Sequence, residues 1–493
     1  MRQLGDEAVL IDVDGPRAAV ALARGLRARE VIPGADTVGL VGPYESLPVA
    51  PPPPARRRHL VPVALDGEDA SHLGLAPSAL RRLLEDCELT VAYLGFMPGF
   101  AYLEGLPEPL CSLARRPSPR PQVPAGSLAV AGGYAGIYPS ASPGGWHLLG
   151  HTNLRLFDQD KPPHALFAPG DLVRFEVVAS LGSPPVPPRR PLFGDALEVI
   201  DPGPLALLED LGRTGAGALG VPRAGAFDSC WARTLNLAVG NSESAALIES
   251  AGPLRLAARR DLHVAAGGAE LLVADSSRPA GIVASVGAGQ EIALGPPVAG
   301  RSYLAVGGGI GGGESFNSRS ADAVSGLAPG PLRAGDSLPL AGPPGRARLR
   351  FFLPPLIRPC RLRVLTGPDS GFADALAGCW RVSRLSDRTG LRLERDGPLP
   401  PGGTVASHAV VPGAIQLPPG GSPIVLGPDC GPVGGYPVVA TVVSADLWKL
   451  AHLTPGDAVS FEAVSLQEAA AARQELAASI ARAVQGWFPT AFA

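Results

Sequence analysis

The sequence predicts a mainly β protein built of barrels or sandwiches, with a small α/β segment in front and a helix behind. Three observations carry that reading. Gly (63) and Pro (55) make up about a quarter of the 493 residues and break the chain into short elements. Between the breaks run short apolar stretches with alternating polar positions, as in half-buried strands. A closing segment also recurs. Pro169-Gly-Asp-Leu-Val-Arg-Phe-Glu-Val-Val178 and Pro455-Gly-Asp-Ala-Val-Ser-Phe-Glu-Ala-Val464 share Pro-Gly-Asp-x-Val-x-Phe-Glu-x-Val, a turn feeding a strand. Each is preceded by a Gly pair and an aromatic, Gly144-Gly145-Trp146 and Gly434-Gly435-Tyr436. Two related barrels closed by equivalent strands are therefore expected.

The elements follow in order. Residues 1–90 read as a small α/β domain. Ala8 to Val13 is a strand, and Arg17 to Arg29 is a helix with Val20, Leu22 and Leu26 at helical spacing. A second helix runs from Ser78, its expected cap, to Asp86, with Leu80, Leu83 and Leu84 on one face. Residues 91–180 read as short strands of a first barrel. The stretch 181–191 is a proline-stiffened linker. Strand-and-turn patterning resumes over 193–345 and 346–464, expected as a barrel-like domain and a second barrel, with Gly342-Pro-Pro-Gly345 at the weaker boundary. In the tail, 465–493, Ser465-Leu-Gln-Glu468 is a capping box. Leu476, Ile480, Val484 and Trp487 form a stripe that docks on the protein itself.

Composition excludes several functions. Hydrophobic residues are 46% and charged residues 18%, enough for a sizeable core. The net charge is −3 and the one dense basic run is Arg56-Arg57-Arg58, which argues against nucleic acid. The two lysines, Lys161 and Lys449, are followed by Pro162 and Leu450, so no phosphate-loop Gly-Lys-Ser/Thr exists. No His precedes a Glu, which removes the His-Glu-x-x-His zinc signature, and no metal site is expected. The six cysteines are dispersed and read as reduced, mostly buried thiols. No apolar run reaches 18 residues and the start lacks a signal-like apolar core, so a cytoplasmic protein away from membranes is expected.

Five segments could carry chemistry. His147 and His151, four apart on a strand, share a face and suit acid–base work or a barrel mouth, with no carboxylate evident nearby. Gly307 to Gly313 follows a strand but opens no helix; it is a mobile loop or an anion-binding one, not a dinucleotide fingerprint. Leu207 to Glu249 concentrates Glu209, Asp210, Arg213, Arg223, Asp228, Asn236, Asn241 and Glu249, which fix loops or line a cleft. Arg388, in Ser386-Asp387-Arg388-Thr389-Gly390, suits a phosphate or carboxylate clamp or a local turn network. Asp429, before Cys430 and Gly431, is an acid–base candidate or a turn cap.

Leu94-Gly-Phe-Met-Pro-Gly-Phe-Ala-Tyr-Leu-Glu-Gly-Leu106, Pro119-Arg-Pro-Gln-Val-Pro-Ala-Gly-Ser127, Gly136-Ile-Tyr-Pro139 and Ser142-Pro-Gly-Gly-Trp146 resemble the 5-oxoprolinase B component, the sporulation-kinase-inhibitor or allophanate-hydrolase-subunit-1 family. The second half resembles the 5-oxoprolinase C component, the biotin-dependent-carboxyltransferase-like family. It does so through Asp210-Leu-Gly-Arg213, Gly225-Ala-Phe-Asp228, Arg301 to Val306, Ser318-Arg-Ser320, Ser386-Asp-Arg388, Gly413-Ala-Ile-Gln416 and Gly434-Gly-Tyr-Pro437. These motifs run in order over nearly the whole chain, which resembles a B–C fusion.

The resemblance implies cyclophilin-like β-barrels and an ATP-dependent opening of the lactam of 5-oxo-L-proline to glutamate, with a separate 5-oxoprolinase A component. It implies ATP with Mg²⁺ as cofactor and, lacking an Ala-Met-Lys-Met-like segment, no covalent biotin. Amide activation needs anion clamps and a base. His151, Asp228 and Asp429 are the acid–base candidates. Trp146, His147, Asp210, Arg213, Arg319, Ser320, Asp387, Arg388, Gln416 and Tyr436 are the substrate- or phosphate-binding candidates. On this reading Arg388→Ala weakens binding by roughly 1.5–3 kcal/mol and leaves the thermal midpoint nearly unchanged. Partners expected are the A component, a lactam or amide substrate and, as an open alternative, a second copy of the chain.

Three departures stand out, one of them His151, where the family commonly carries Arg. Tyr134-Ala135 and Gly431-Pro432 occupy positions where the family commonly carries Gln-Thr. Alternatives remain a carboxyltransferase or urea-amidolyase-type component and a non-enzymatic histidine-kinase inhibitor. Amidase chemistry needs a Lys beside serines, and neither Lys161 nor Lys449 lies in a Ser-rich loop.

Overall fold

The computed structural model describes residues 1–51, 55–116, 120–184, 192–322, 324–327, 329–355, 360–369, 371 and 375–485. Most of the proline linker, Pro119 and Trp487 lie outside the described residues. The architecture is mainly β, with two closed seven-stranded barrels.

The front is a four-stranded antiparallel sheet in the order Arg2–Gln3, Ala8–Asp12, Thr37–Val41, Glu30–Pro33. Helix α1 (Gly15–Arg24) covers it through Ala19 against Val38 and Leu40. It stops at Arg24, five residues short of the sequence expectation, because the chain turns at Gly25 and Leu26–Arg27 pairs as a strand with Glu45–Ser46. Helix α2 runs Pro77–Asp86. Its N-cap is Ala76 rather than Ser78; Pro77 sits in the first turn, where its missing N–H costs nothing. Leu80 and Leu84 pack into the first barrel.

The first barrel contains β1 (Arg58–Ala64), β2 (Leu89–Leu94), β3 (Ala101–Glu104), β4 (Ser127–Ala131), β5 (Tyr134–Ile137), β6 (His147–His151) and β7 (Leu172–Val178). They close in the order β1-β6-β4-β5-β3-β2-β7. The second contains β8 (Cys360–Thr366), β9 (Cys379–Val382), β10 (Gly390–Glu394), β11 (Ala414–Gln416), β12 (Ile424–Leu426), β13 (Val438–Val442) and β14 (Ala458–Ala463). They close as β8-β13-β11-β12-β10-β9-β14, the same permutation.

The repeated segments are the equivalent closing strands. β7 runs parallel to β1 and antiparallel to β2, while β14 runs parallel to β8 and antiparallel to β9. Each turn is tied by its own aspartate: Asp171 accepts from Ala168 N at 3.0 Å, and Asp457 from Thr454 N at 2.7 Å. A second correspondence follows the opening strands. Asp69 accepts from Leu148 N, beside β1, and Asp369 from Val438 N, beside β8.

The region 193–345, expected as a barrel-like domain, instead carries two open sheets of six and five strands, between Leu197 and Leu338, with one apolar core between them. Many of these strands have only three to five residues, and they meet face to face rather than curling shut. Helix α3 (Ser229–Ala238) packs on the five-stranded sheet. At the end, Ser465 and Glu468 form the capping box of helix α4 (Leu466–Arg482). Leu476 and Ile480 pack on Cys230 and Trp448, so the helix docks on its own chain, whereas Val484 leaves it for a short strand with Phe351.

A single core joins both barrels and the front sheet: Leu10 and Ile32, Phe100 and Trp146, Val410 and Val433 belong to it. Its centre is aromatic. Tyr93 stacks on Tyr102 at 4.4 Å, and Phe100 meets Tyr138 and Trp146 edge-on at 5.3 and 5.5 Å. The approach is tight enough to require glycine. A Cβ on Gly431 would lie 2.1 Å from the Phe96 carbonyl, and one on Gly95 2.7 Å from Val433. The departure from Gln-Thr at 431–432 thus sits where the barrels touch.

Candidate functional site

The densest polar constellation lies where the middle sandwich meets the second barrel. Glu209 ends the strand Ala206–Glu209, and Glu249 lies on the neighbouring strand Leu247–Ser250. Arg388 comes from the turn before β10 and Asp429 from the loop after β12. The Arg388 side chain, 4% exposed, donates to Asp429 through Nε at 2.9 Å and Nη2 at 2.8 Å. Its Nη1 donates to Glu249 at 2.6 Å, Nη2 also reaches the Gly225 carbonyl at 2.8 Å, and Glu209 stands 3.3 Å away. Arg301 adds a second cation 3.4 Å from Glu249.

Burial decides the charges. It pushes Glu209 well above the usual carboxylate range, and Arg388 offsets this only in part. It raises Asp429 to about 6. Glu249 is buried as deeply, but Arg388, Arg301 and the Phe227 N–H outweigh the burial and hold it low. Burial thus favours the protonated form of Glu209, while the donors around Glu249 favour its charged form.

A hydroxyl cage adjoins it. Asp210 accepts from Ser318 Oγ at 2.7 Å, Ser320 Oγ at 2.6 Å, and the N–H groups of Arg319 and Gly212 at 2.7 and 2.8 Å. Arg213, 1% exposed, donates from Nη2 to the Ser320 carbonyl. Asp228 caps α3 through Trp231 N at 2.7 Å and lies 2.7 Å from His452 Nε2.

The structure thus brings Asp210, Arg213, Arg319, Ser320, Arg388 and Asp429 into neighbouring, linked sites, with Asp228 nearby. It separates the others. Trp146 is in the barrel junction. His147 Nε2 donates to the Ala114 carbonyl at 3.0 Å. His151 is 2.8 Å from Asp66, which raises its pKa, and also faces the Leu181 carbonyl at 3.2 Å. Sequence reading missed Asp66 because it lies on another segment. Asp387 is exposed and caps its turn through Thr389 N at 2.8 Å. Gln416 lies on β11 and Tyr436 is half-buried beyond the Gly434–Gly435 turn.

Arg388 departs from its expected role. It is enclosed by three carboxylates rather than open as a clamp, an arrangement in which removing one partner of a buried pair is in general strongly destabilising. The Gly307–Gly313 loop is not an open anion nest either. Its N–H groups at Gly307, Gly308, Gly309, Ile310 and Gly311 donate to His263 O, Asn241 Oδ1, Val306 O, Ala246 O and Pro339 O. Glu209 and Glu249 had one sequence signal, the polar density of 207–249; His452 had none.

The network anchors two loops, 210–214 and 428–432, that border a cavity between the front sheet and the second barrel. Arg213 and Cys430 line it; burial raises the Cys430 thiol to about 12, which leaves it a poor nucleophile. Among the described residues no group of three or more His, Cys, Asp or Glu could hold a metal, and no helix is long and apolar enough to cross a membrane.

Comparison with known proteins assigns the two halves. Residues 1–167 match the model of the carboxyltransferase domain, subdomain C and D, and residues 219–463 that of subdomain A and B. The chain is 34% identical over 295 residues to the C component of 5-oxoprolinase from Escherichia coli (strain K12), covering 57% of this chain and 94% of that protein. It is 49% identical over 106 residues to the B component of 5-oxoprolinase from Escherichia coli O157:H7, covering 22% of this chain and 48% of that protein. The crystal structure of TTHA0988 superposes with a TM-score of 0.80 at 36% identity, covering 92% of this chain and 99% of that one. The Kluyveromyces lactis urea carboxylase is more distant, with TM-score 0.54 at 26% identity over 60% of this chain and 31% of that one.

Proposed function

The chain belongs to the carboxyltransferase-domain family, its halves homologous to the B and C components of 5-oxoprolinase, and from this we propose that it supplies both components of an ATP-dependent 5-oxoprolinase acting with a separate A component. The observation that carries the reading is the pair of homologous halves in one chain, joined by a shared core rather than tethered loosely. In this reading the reaction opens 5-oxo-L-proline to glutamate in the cytoplasm.

Two of the phosphate-binding features expected of this chain, the glycine loop and Arg388, offer the nucleotide few free donors. Five N–H groups of the glycine loop, Gly307 to Gly311, are already hydrogen-bonded, and Arg388 is enclosed by carboxylates. In this reading ATP and Mg²⁺ bind on the A component. The chain's own contribution is to hold the loops 210–214 and 428–432 in register by a buried ionic network whose geometry costs little reorganisation during reaction.

The test is glutamate release from 5-oxo-L-proline with ATP, for this chain alone, for the A component alone and for the mixture. Release by the mixture only is expected. Likeness to urea carboxylase supports a second reading, carboxyl transfer from another protein's biotin. Carboxylation of an acceptor by a biotinylated carrier, with no glutamate release, would replace the first reading with the second.

A further inference from the structure

Arg115 is a half-buried cation at the junction of the two halves. Its neighbours Arg116 and Arg120 are taken by Asp69 at 2.7 and 2.8 Å, but among the described residues no carboxylate lies within 4 Å of Arg115. Its side-chain contact is the Ser407 hydroxyl of the second half, which accepts from Nη2 at 3.5 Å. The backbone on either side is fixed: His147 Nε2 donates to the Ala114 carbonyl at 3.0 Å, and the Arg116 N–H to that of Gly145 at 2.8 Å. Ser407 is held in turn by the front sheet, its carbonyl accepting the Ala35 N–H at 2.7 Å. The guanidinium lies against the Gly434–Gly435 turn. A Cβ on Gly435 would stand 2.6 and 2.7 Å from Arg115 Nη2 and Nη1, and one on Gly434 would overlap the Gln416 amide. The glycine pair is thus the seat for two donor side chains, one from each half.

The hydroxyls around Arg115 do not compensate its charge. Burial raises Tyr93, Tyr102 and Tyr138, Tyr102 to about 12, against the opposing pull of Arg115, so all three stay protonated and neutral. Half-burial strips water from the guanidinium, and one long bond to a neutral oxygen does not replace it. What the site lacks is an anion. A planar guanidinium fork fits a carboxylate through two parallel N–H bonds. A doubly charged oxyanion asks for a second cation, and Arg116 and Arg120 are already occupied by Asp69. The half-buried ring of Tyr134, edge-on to Tyr102 at 5.6 Å, offers an apolar wall beside this cluster for a compact carbon body.

We propose that Arg115 and the Ser407 hydroxyl, one from each half, bind the carboxylate of a small organic monoanion over the Gly434–Gly435 turn. The assignment stands on the junction's own residues; under the oxoprolinase reading it makes Arg115 the residue that selects for a carboxylate on the substrate. Calorimetric titration of the whole chain with cyclopentanecarboxylate tests it, with cyclopentanecarboxamide as the uncharged analogue of the same shape and sulfate as an anion of different geometry. The carboxylate binds; the amide and sulfate do not. Arg115→Gln weakens carboxylate binding about tenfold or more, and Arg115→Lys, which keeps the charge without the fork, weakens it less. Gly435→Ala keeps Arg115 but pushes its guanidinium off the turn, and weakens binding likewise. Unchanged thermal midpoints report that the variants keep the fold. The proposal is overturned if the carboxylate does not bind, if the amide or sulfate binds equally well, or if Arg115→Gln and Gly435→Ala both bind the carboxylate as the wild type does. Carboxylate binding without glutamate release from the mixture with the A component would leave this site assigned and remove the oxoprolinase reading. Glutamate release with an unchanged KM for 5-oxo-L-proline in Arg115→Gln would keep that reading and overturn this site.

Discussion

The two barrels share one strand permutation and differ in what they do with charge. In the first, each buried turn carboxylate is answered locally by cations of the same barrel. Asp69 is clamped by Arg116 and Arg120 at 2.7 and 2.8 Å, Asp171 by Arg57 at 2.7 Å. Both are held below the usual carboxylate range: burial opposes this, but the N–H and guanidinium donors win. In the second, Arg388 and Asp429 look outward to Glu209 and Glu249 of the sandwich, and three carboxylates share the Arg388 cation. Strand order follows the apolar alternation common to both barrels, whereas the chemistry follows the turns, which diverge. A barrel closed on itself is a scaffold; one that exchanges charge with a neighbour fixes the loops of a cavity.

Breaking that exchange has the largest expected effect. Arg388→Ala leaves Glu209, Glu249 and Asp429 buried without their shared cation and costs about 3–5 kcal/mol in urea unfolding. A loss below about 1 kcal/mol would show that the network is incidental. The barrel junction comes next. Gly431→Ala sets a methyl group against the Phe96 carbonyl and costs about 1–3 kcal/mol, with the apo chain still folded. Unchanged stability would mean that the barrels part easily.

The equivalent closing turns sharpen the comparison. Asp171→Asn loses charge-assisted bonds to Arg57, besides its contacts with His59 and Ala168 N, and costs about 1.5–3 kcal/mol. Asp457→Asn, whose contacts include Thr454 N and Oγ1, costs about 0.5–1.5 kcal/mol. Equal costs would erase the asymmetry.

The smallest effect is in pH dependence. Burial raises Glu209 and Asp429, so their contribution is full below the unfolded carboxylate range and is lost as pH rises, for Asp429 through about 6. Asp69 and Asp171 are depressed, and theirs is lost as pH falls below the usual range. Wild type should therefore lose stability relative to Asp429→Asn between about pH 4 and pH 6.5 in paired urea titrations. Parallel curves would place the proton elsewhere.

Much of this fold was legible. The Pro-Gly-Asp repeat announced two barrels with equivalent ends because turn and alternation are local properties. The capping box at Ser465 was legible for the same reason. The α1 boundary was not, since Gly25 and the pairing of Leu26–Arg27 with Glu45–Ser46 override helical spacing. The middle region misled because short alternating strands look alike whether a sheet closes or stacks. At the site, the density of 207–249 pointed to polar organisation. The partners Arg388 and Asp429, 139 residues beyond Glu249 and 41 beyond Arg388, had no signal linking them to it.

By itself the sequence determined the β class, the duplicated barrel, the terminal helix and the family, all encoded in patterns a few residues long. The tertiary structure alone decided that Arg388 is a buried hub rather than an exposed clamp, that the glycine loop is spent on its own sandwich, and that Arg115 and Ser407 meet over one glycine turn. The physical reason is that burial sets both the charge and the free valence of a polar group. Burial belongs to the packing of distant segments, not to any one of them.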